Sequence, residues 1–179
     1  MTAWITHLRF SRKFALIGAL AFLLFAVPTA LLLKDTADKV AVAQRERLGL
    51  APGSELLRLL QQTQQHRGLS AAFLSGAASA GATRQERQNE VEATQARVRT
   101  ALGPLEDRAL LDRMDGIGRE WQALVAGVSG KSLTGAQSNQ QHIALIGHVL
   151  DLIDDVANSS GLALDPDAST YYVQRAVLG

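Results

Sequence analysis

The sequence predicts an all-α protein: an N-terminal transmembrane helix followed by an antiparallel helical bundle, incomplete at its C-terminus. Three observations carry that expectation. Residues 14–33 read FALIGALAFLLFAVPTALLL, without a charge, Asn or Gln. Beyond them the chain is rich in Ala, Leu, Gln and Arg, all good helix formers. No stretch alternates apolar and polar residues with the period of a strand.

The apolar run comes first. Twenty helical residues at ~1.5 Å each span ~30 Å, the hydrocarbon thickness of a bilayer. Gly18 and Pro28 lie inside it, and transmembrane helices tolerate both. Arg9, Arg12 and Lys13 precede the run without an acid; Lys34 and Lys39 follow it mixed with Asp35 and Asp38. The positive-inside rule then places residues 1–13 in the cytoplasm and residues 34–179 outside, in the periplasm of a bacterial inner membrane. Trp4 and Phe10 are candidate headgroup anchors. A cleaved signal peptide is the alternative, with Ala41-Val42-Ala43 as its cleavage site. The run is longer than the usual ~7–15 residue signal core, and that site lies far beyond its end.

The outer elements follow from breakers and caps. The spanning helix continues to about Leu50, and Ala51-Pro52-Gly53-Ser54 makes the first break or kink. Ser54 can cap a helix over 55–75. The small residues 76–81 form a turn. The next helix runs from about Thr83 to Ala101, is interrupted at Gly103-Pro104, and resumes from Leu105 to Ala126. Residues 127–135 form a loop before a helix over 136–160, with Gly161 as its C-cap. Asp165, Pro166 and Asp167 then open a last helix, with Asp165 at the cap and Asp167 against the positive helix end. That helix has barely begun at Gly179, so the outer domain is expected to be truncated.

Composition narrows the chemistry. The net charge of +1 offers no case for nucleic acid. Zero Cys excludes disulfides, Cys-ligated zinc and a thiol nucleophile. His142 and His148, at i and i+6, lie ~120° apart on a helix and share no face, so no metal site is expected. Gly130-Lys131-Ser132 echoes a P-loop ending, but Val125 stands where the first Gly belongs and no strand precedes it. Asp154 and Asp155 point to different sides and form no acid–base pair. Trp121, Tyr171 and Tyr172 read as core or interface residues. No catalytic constellation stands out, and neither an enzyme nor a cofactor is expected.

The helix over 55–75 places a cation in an apolar face. At ~100° per residue, Leu56, Leu60, Thr63, Arg67, Ser70, Ala71 and Leu74 fall within about 60° of one line. A buried arginine is costly unless its charge is paired and its donors are used. Thr63 and Ser70, one turn either side of Arg67, leave room and supply hydroxyls. A guanidinium fork flanked by hydroxyls suits a planar anion. Two other readings stay open. Arg67 could pair with Asp154, at the edge of an apolar line through Ile143, Ile146, Leu150, Ile153 and Ala157. It could also line a dimer interface and meet water.

The stretch Gln65-His66-Arg67-Gly68-Leu69-Ser70-Ala71-Ala72-Phe73-Leu74-Ser75-Gly76 resembles the Q-x-x-R-G-L-S/A-x-x-x-L-x-G helix of nitrate- and nitrite-sensing-type domains. The related outer domains of bacterial methyl-accepting chemotaxis proteins share it. Residues 156–172, with Ser160-Gly161-Leu162-Ala163-Leu164-Asp165-Pro166-Asp167 at their centre, resemble a second segment of the same receptors. The resemblance covers about Lys34 to the end. It implies a helical ligand-sensing domain between two transmembrane helices, with a signalling part beyond. In nitrate-binding members an arginine of this helix helps hold the anion, which carries over to Arg67. Many relatives have Glu before that arginine, where this chain has His66.

The reading that follows is a transmembrane chemoreceptor sensing a small periplasmic ligand, with an anion as the candidate. Arg67, Thr63 and Ser70 are its candidate ligand residues. The membrane and a second copy in a homodimer are the expected partners. Cytoplasmic signalling proteins would engage only regions beyond this sequence. The alternatives are the input region of a sensory histidine kinase or diguanylate cyclase, and a non-signalling membrane-anchored adaptor.

Overall fold

The computed structural model describes residues 10–77 and 79–163. Every regular element among them is helical: α1 (Phe10–Leu74), α2 (Ala80–Leu102), a single 3-10 turn (Gly103–Leu105), α3 (Arg108–Ser129) and α4 (Gly135–Ser160). The last helix expected from Asp165 onward, with Tyr171 and Tyr172, lies outside the described residues, as does the leader with Trp4.

The chain divides into two units, Met1–Ala43 and Gln44–Gly179. In the first, the described residues are one uninterrupted stretch of α1. Its apolar side chains are exposed, Phe25 and Phe22 at 77% and 71%. Exposed apolar surface of this extent marks a contact with a membrane or a partner. This helix is long and apolar enough to cross a membrane.

The second unit is a bundle in which the helix direction alternates. Arg97 of α2 reaches Glu55 of α1 at 3.0 Å, and Thr94 reaches Gln62 at 2.7 Å, so rising numbers on one helix meet falling numbers on the other. Arg99 pairs with Asp115 between α2 and α3, and Arg113 with Asp155 between α3 and α4. His66 of α1 meets His142 of α4, and Gly49 meets Ser160, which closes the ring of four. Leu56, Leu59, Val91, Val98, Trp121, Leu124, Leu145, Val149 and Leu152 fill the centre.

α1 departs from the expected break. It runs through Pro52 and Gly53, and Ser54 caps nothing; its Oγ donates back to the Ala51 carbonyl at 2.9 Å. Pro52 removes one N–H from the helix ladder. The packing holds the helix on course regardless. Gly49, Pro52, Leu56, Leu59, Thr63, His66 and Ser70 are all buried. Their alternating spacing of three and four keeps one seam on the bundle axis, and a break at Pro52 would swing Leu56 and Leu59 off it.

The loop expected over 127–135 is shorter. α3 continues to Ser129, and Val128 is fully buried. Gly127 is a point of close approach rather than a breaker: a Cβ there would stand 2.6 Å from Leu133 Cδ1. α4 opens on a capping box between Thr134 and Gln137 and ends on Gly161 in the left-handed conformation, φ 83°. α3 opens on Asp107, whose side chain accepts from the Ala109 N–H at 3.0 Å.

The tightest approach of α1 to α4 is at Gly49, where a Cβ would stand 2.3 Å from Ser160 Oγ and 2.8 Å from Leu162 Cδ1. Gly49→Val should therefore lower stability by ~1–3 kcal/mol, the usual cost of overpacking. Denaturant unfolding of the full chain in detergent, compared with Gly53→Val where no atom lies within 4 Å, checks this.

Candidate functional site

The buried seam of α1 lies ~50° around the helix from the line expected from sequence. Leu59 and His66 are on it; Leu60 and Arg67 flank it. Thr63, His66 and Ser70 are buried, and Arg67 is half-buried. Arg67 makes no ion pair among the described residues. Asp154 is exposed, and the alternative reading, an Arg67–Asp154 pair, is not formed. The antiparallel register explains this. His66 sits level with His142, and Asp154, twelve residues further along α4, is ~18 Å away along the axis. The seam of α4 is displaced in the same way. Its core row is His142, Leu145, Val149, Leu152 and Val156, while Ile143 and Leu150 are 51% and 45% exposed.

A polar chain crosses the bundle at this level. His142 Nδ1 lies 2.7 Å from the Ser138 carbonyl, which can only accept, so Nδ1 carries the proton. The neutral ring then offers Nε2 as an acceptor, and His66 Nδ1, 2.9 Å away, donates to it. His66 Nε2 is left as an acceptor, and Arg84 Nη1 of α2 donates to it at 3.4 Å. One tautomer of each ring satisfies every link. Ser70 Oγ stands 3.3 Å from His66 Nδ1 and Ser138 Oγ 3.4 Å from His142 Nδ1. Trp121 of α3 packs edge-on against His66, with centroids 4.6 Å apart. Thr63 turns its hydroxyl back to the Leu59 carbonyl at 2.8 Å. Ser70 thus belongs to this cluster, while Arg67 stands at its flank.

Electrostatics keep both rings neutral. Burial pushes His66 down from 6.5 to about 3, with His142 and Arg84 adding to the shift. His142 is also lowered, chiefly by burial; its bond to Ser138 opposes the shift and the nearby charge of Arg67 adds to it. A second proton on His142 would set its Nε2–H against the His66 Nδ1–H across 2.9 Å, and one on His66 would set its Nε2–H against an N–H of Arg84 across 3.4 Å. No group of His, Asp or Glu among the described residues could hold a metal ion. His148 bonds to Glu120 at 2.7 Å instead.

Arg84 is the group that sequence reading missed. It is 4% exposed, and burial lowers its pKa from the ordinary arginine value. It has no carboxylate partner among the described residues. Its acceptors are all neutral: His66, Gln88 Oε1 at 3.3 Å and Ser129 Oγ at 3.1 Å. The local signal is faint: Arg84 stands seven residues before Val91, on the line of Val91, Val98 and Leu102, the sparse apolar face of a helix that is polar nearly throughout.

The neutral pair makes the fold acid-sensitive. Unfolded His66 takes a proton near 6.5, and folded His66 takes none until about 3. The unfolded state binds more protons across that window, so stability should fall as pH drops from about 6.5, by up to ~1.4 kcal/mol per pH unit for each such histidine. Melting curves at pH 7 and pH 5.5 should show this fall, and it should shrink when both His66 and His142 are replaced by Gln.

Neither a curated protein nor a solved structure matches the chain. A family described as nitrate and nitrite sensing matches residues 58–173. The matched stretch contains His66, Arg67, Arg84 and His142, so the polar chain and both flanking cations lie inside it, and this chain belongs to the nitrate and nitrite sensing family.

Proposed function

We propose that this chain is the sensing region of a membrane-anchored chemoreceptor that binds a small oxyanion, nitrate or nitrite, in the periplasm. The family match over residues 58–173 carries the reading. The charge pattern of the bundle supports it. Arg67, Arg84 and Lys131 lie near the α1–α2 turn and the α3–α4 loop, and Arg67 and Arg84 lack carboxylate partners among the described residues. Cations held without counter-ions in a partly desolvated place favour an anion. Arg67 is the anion-facing residue in this reading, with Ser70 and Thr63 beside it on the same helix.

Residues 14–33 are the retained membrane span, with residues 1–13 cytoplasmic and the bundle outside. A second copy is the expected partner. Ile143, Leu150 and Leu57, the last 58% exposed, are apolar side chains of the bundle open to such a contact. The anion would act by shifting α1 relative to its neighbours, and α1 also carries the span. Displacements of one or two ångströms of a helix are a common output of such switches. The signal would reach the chemotaxis machinery through regions beyond this sequence.

Calorimetric titration of the full chain in detergent with sodium nitrate tests the ligand. Arg67→Ala should weaken binding by roughly 10- to 100-fold, as expected for loss of a charge-assisted hydrogen bond, with helicity and melting little changed. No heat with nitrate or nitrite in the wild type would end the anion reading. A periplasm-active reporter fused after Leu50 should be active and membrane-bound. Soluble reporter cleaved at Gln44 would remove the anchor from the account.

A further inference from the structure

We propose that Arg84 is the second cation of the anion site, and that a planar oxyanion docks on its Nε–Nη2 edge. This rests on the anion-sensing reading above. A guanidinium offers two parallel N–H groups along that edge, the fork that matches two oxygens of nitrate, nitrite or a small carboxylate. In Arg84 the edge is nearly unused. Nε is buried without a partner, and Nη2 has only the Ser129 hydroxyl at 3.1 Å. A serine hydroxyl can rotate from accepting to donating, so Ser129 can serve the anion it gives way to.

Positive charge stands nearby, and no carboxylate among the described residues pairs with Arg84. Phe73 lies over the guanidinium, with Cζ 5.1 Å from the ring centroid, and Lys131 Nζ stands 5.1 Å from the same ring. Glu86, two residues along α2, is exposed. A cation that is 4% exposed and lacks a counter-ion is a standing cost to the fold. Neutral acceptors at 3.1–3.4 Å offset only part of it. An arriving anion removes it. Phe73, half-buried beside the α1–α2 turn, is the ring that must move to admit the ligand.

The position also gives the anion a line to the rest of the bundle. Arg84 Nη1 is the donor that His66 Nε2 accepts, and His66 in turn donates to His142. Drawing the guanidinium towards an anion stretches or breaks the 3.4 Å link and changes what α1 receives from α2.

The test uses the full chain in detergent, titrated with sodium nitrate and, separately, sodium chloride. Wild-type protein should bind nitrate and prefer it to chloride, whose single centre cannot give each of two parallel N–H groups its own acceptor atom. Arg84→Gln should weaken nitrate binding by roughly 10- to 100-fold. Without anion it should melt no lower than wild type, because the stranded charge is gone, and added nitrate should no longer raise its melting temperature. A merely structural Arg84 predicts the reverse: a lower melting point with nitrate affinity intact. In uniformly 15N-labelled wild-type protein, nitrate should also shift the His66 Nε2 resonance, which guards against a variant that fails to fold. Nitrate affinity within twofold of wild type in Arg84→Gln would overturn the assignment, as would an unmoved His66 resonance at saturating nitrate. Either result with normal wild-type binding leaves the anion sensor standing and removes only Arg84 from it.

Discussion

The bundle is organised around a hydrogen-bond chain that has one consistent direction. The Ser138 carbonyl fixes the proton on His142 Nδ1; that fixes His66 as a donor through Nδ1 and an acceptor through Nε2; and that acceptor takes an N–H of Arg84. Three of the four helices are tied by it, and the fourth contributes Trp121 against His66. Buried polar groups are costly when unmatched, so such a chain is satisfied in one register and penalised in others. A slip of α4 by one turn would break the His66–His142 bond.

Leu, Val and Trp side chains above and below this level would pack in several registers at similar gain. The polar layer selects among them, and it does so with neutral rings. Burial holds both histidines unprotonated, and neither Arg84 nor Arg67 has a carboxylate partner among the described residues.

α1 links that layer to the candidate membrane span, because one helix, Phe10–Leu74, contains both. Pro52 lies between them in sequence. Its missing N–H leaves a carbonyl of the preceding turn without its helical donor. The buried row on either side of it, Gly49 and Leu56, keeps the helix unbroken. Any rearrangement around His66 acts on this same helix.

The sequence by itself determined the class of the fold, the number of bundle helices in the described region and most of their ends. Those follow from local physics: helix propensity, the Gly161 cap, the turn at residues 76–81 and an uncharged run as long as a bilayer is thick. It also singled out, through the Arg67-Gly68-Leu69-Ser70 pattern, the helix that carries His66 and Ser70 of the buried polar cluster. Tertiary structure decided which face of that helix is inside. α1 and α4 are each apolar over more than one row, and a helical wheel cannot choose between rows one residue apart. Arg67 and Ile143 were expected inward; His66 and His142 are there instead. The pairing of His66 with His142, 76 residues apart, and the meeting of Arg84 with His66 depend on how four helices are set against one another. That is a sum of contacts between distant segments, which no local periodicity encodes.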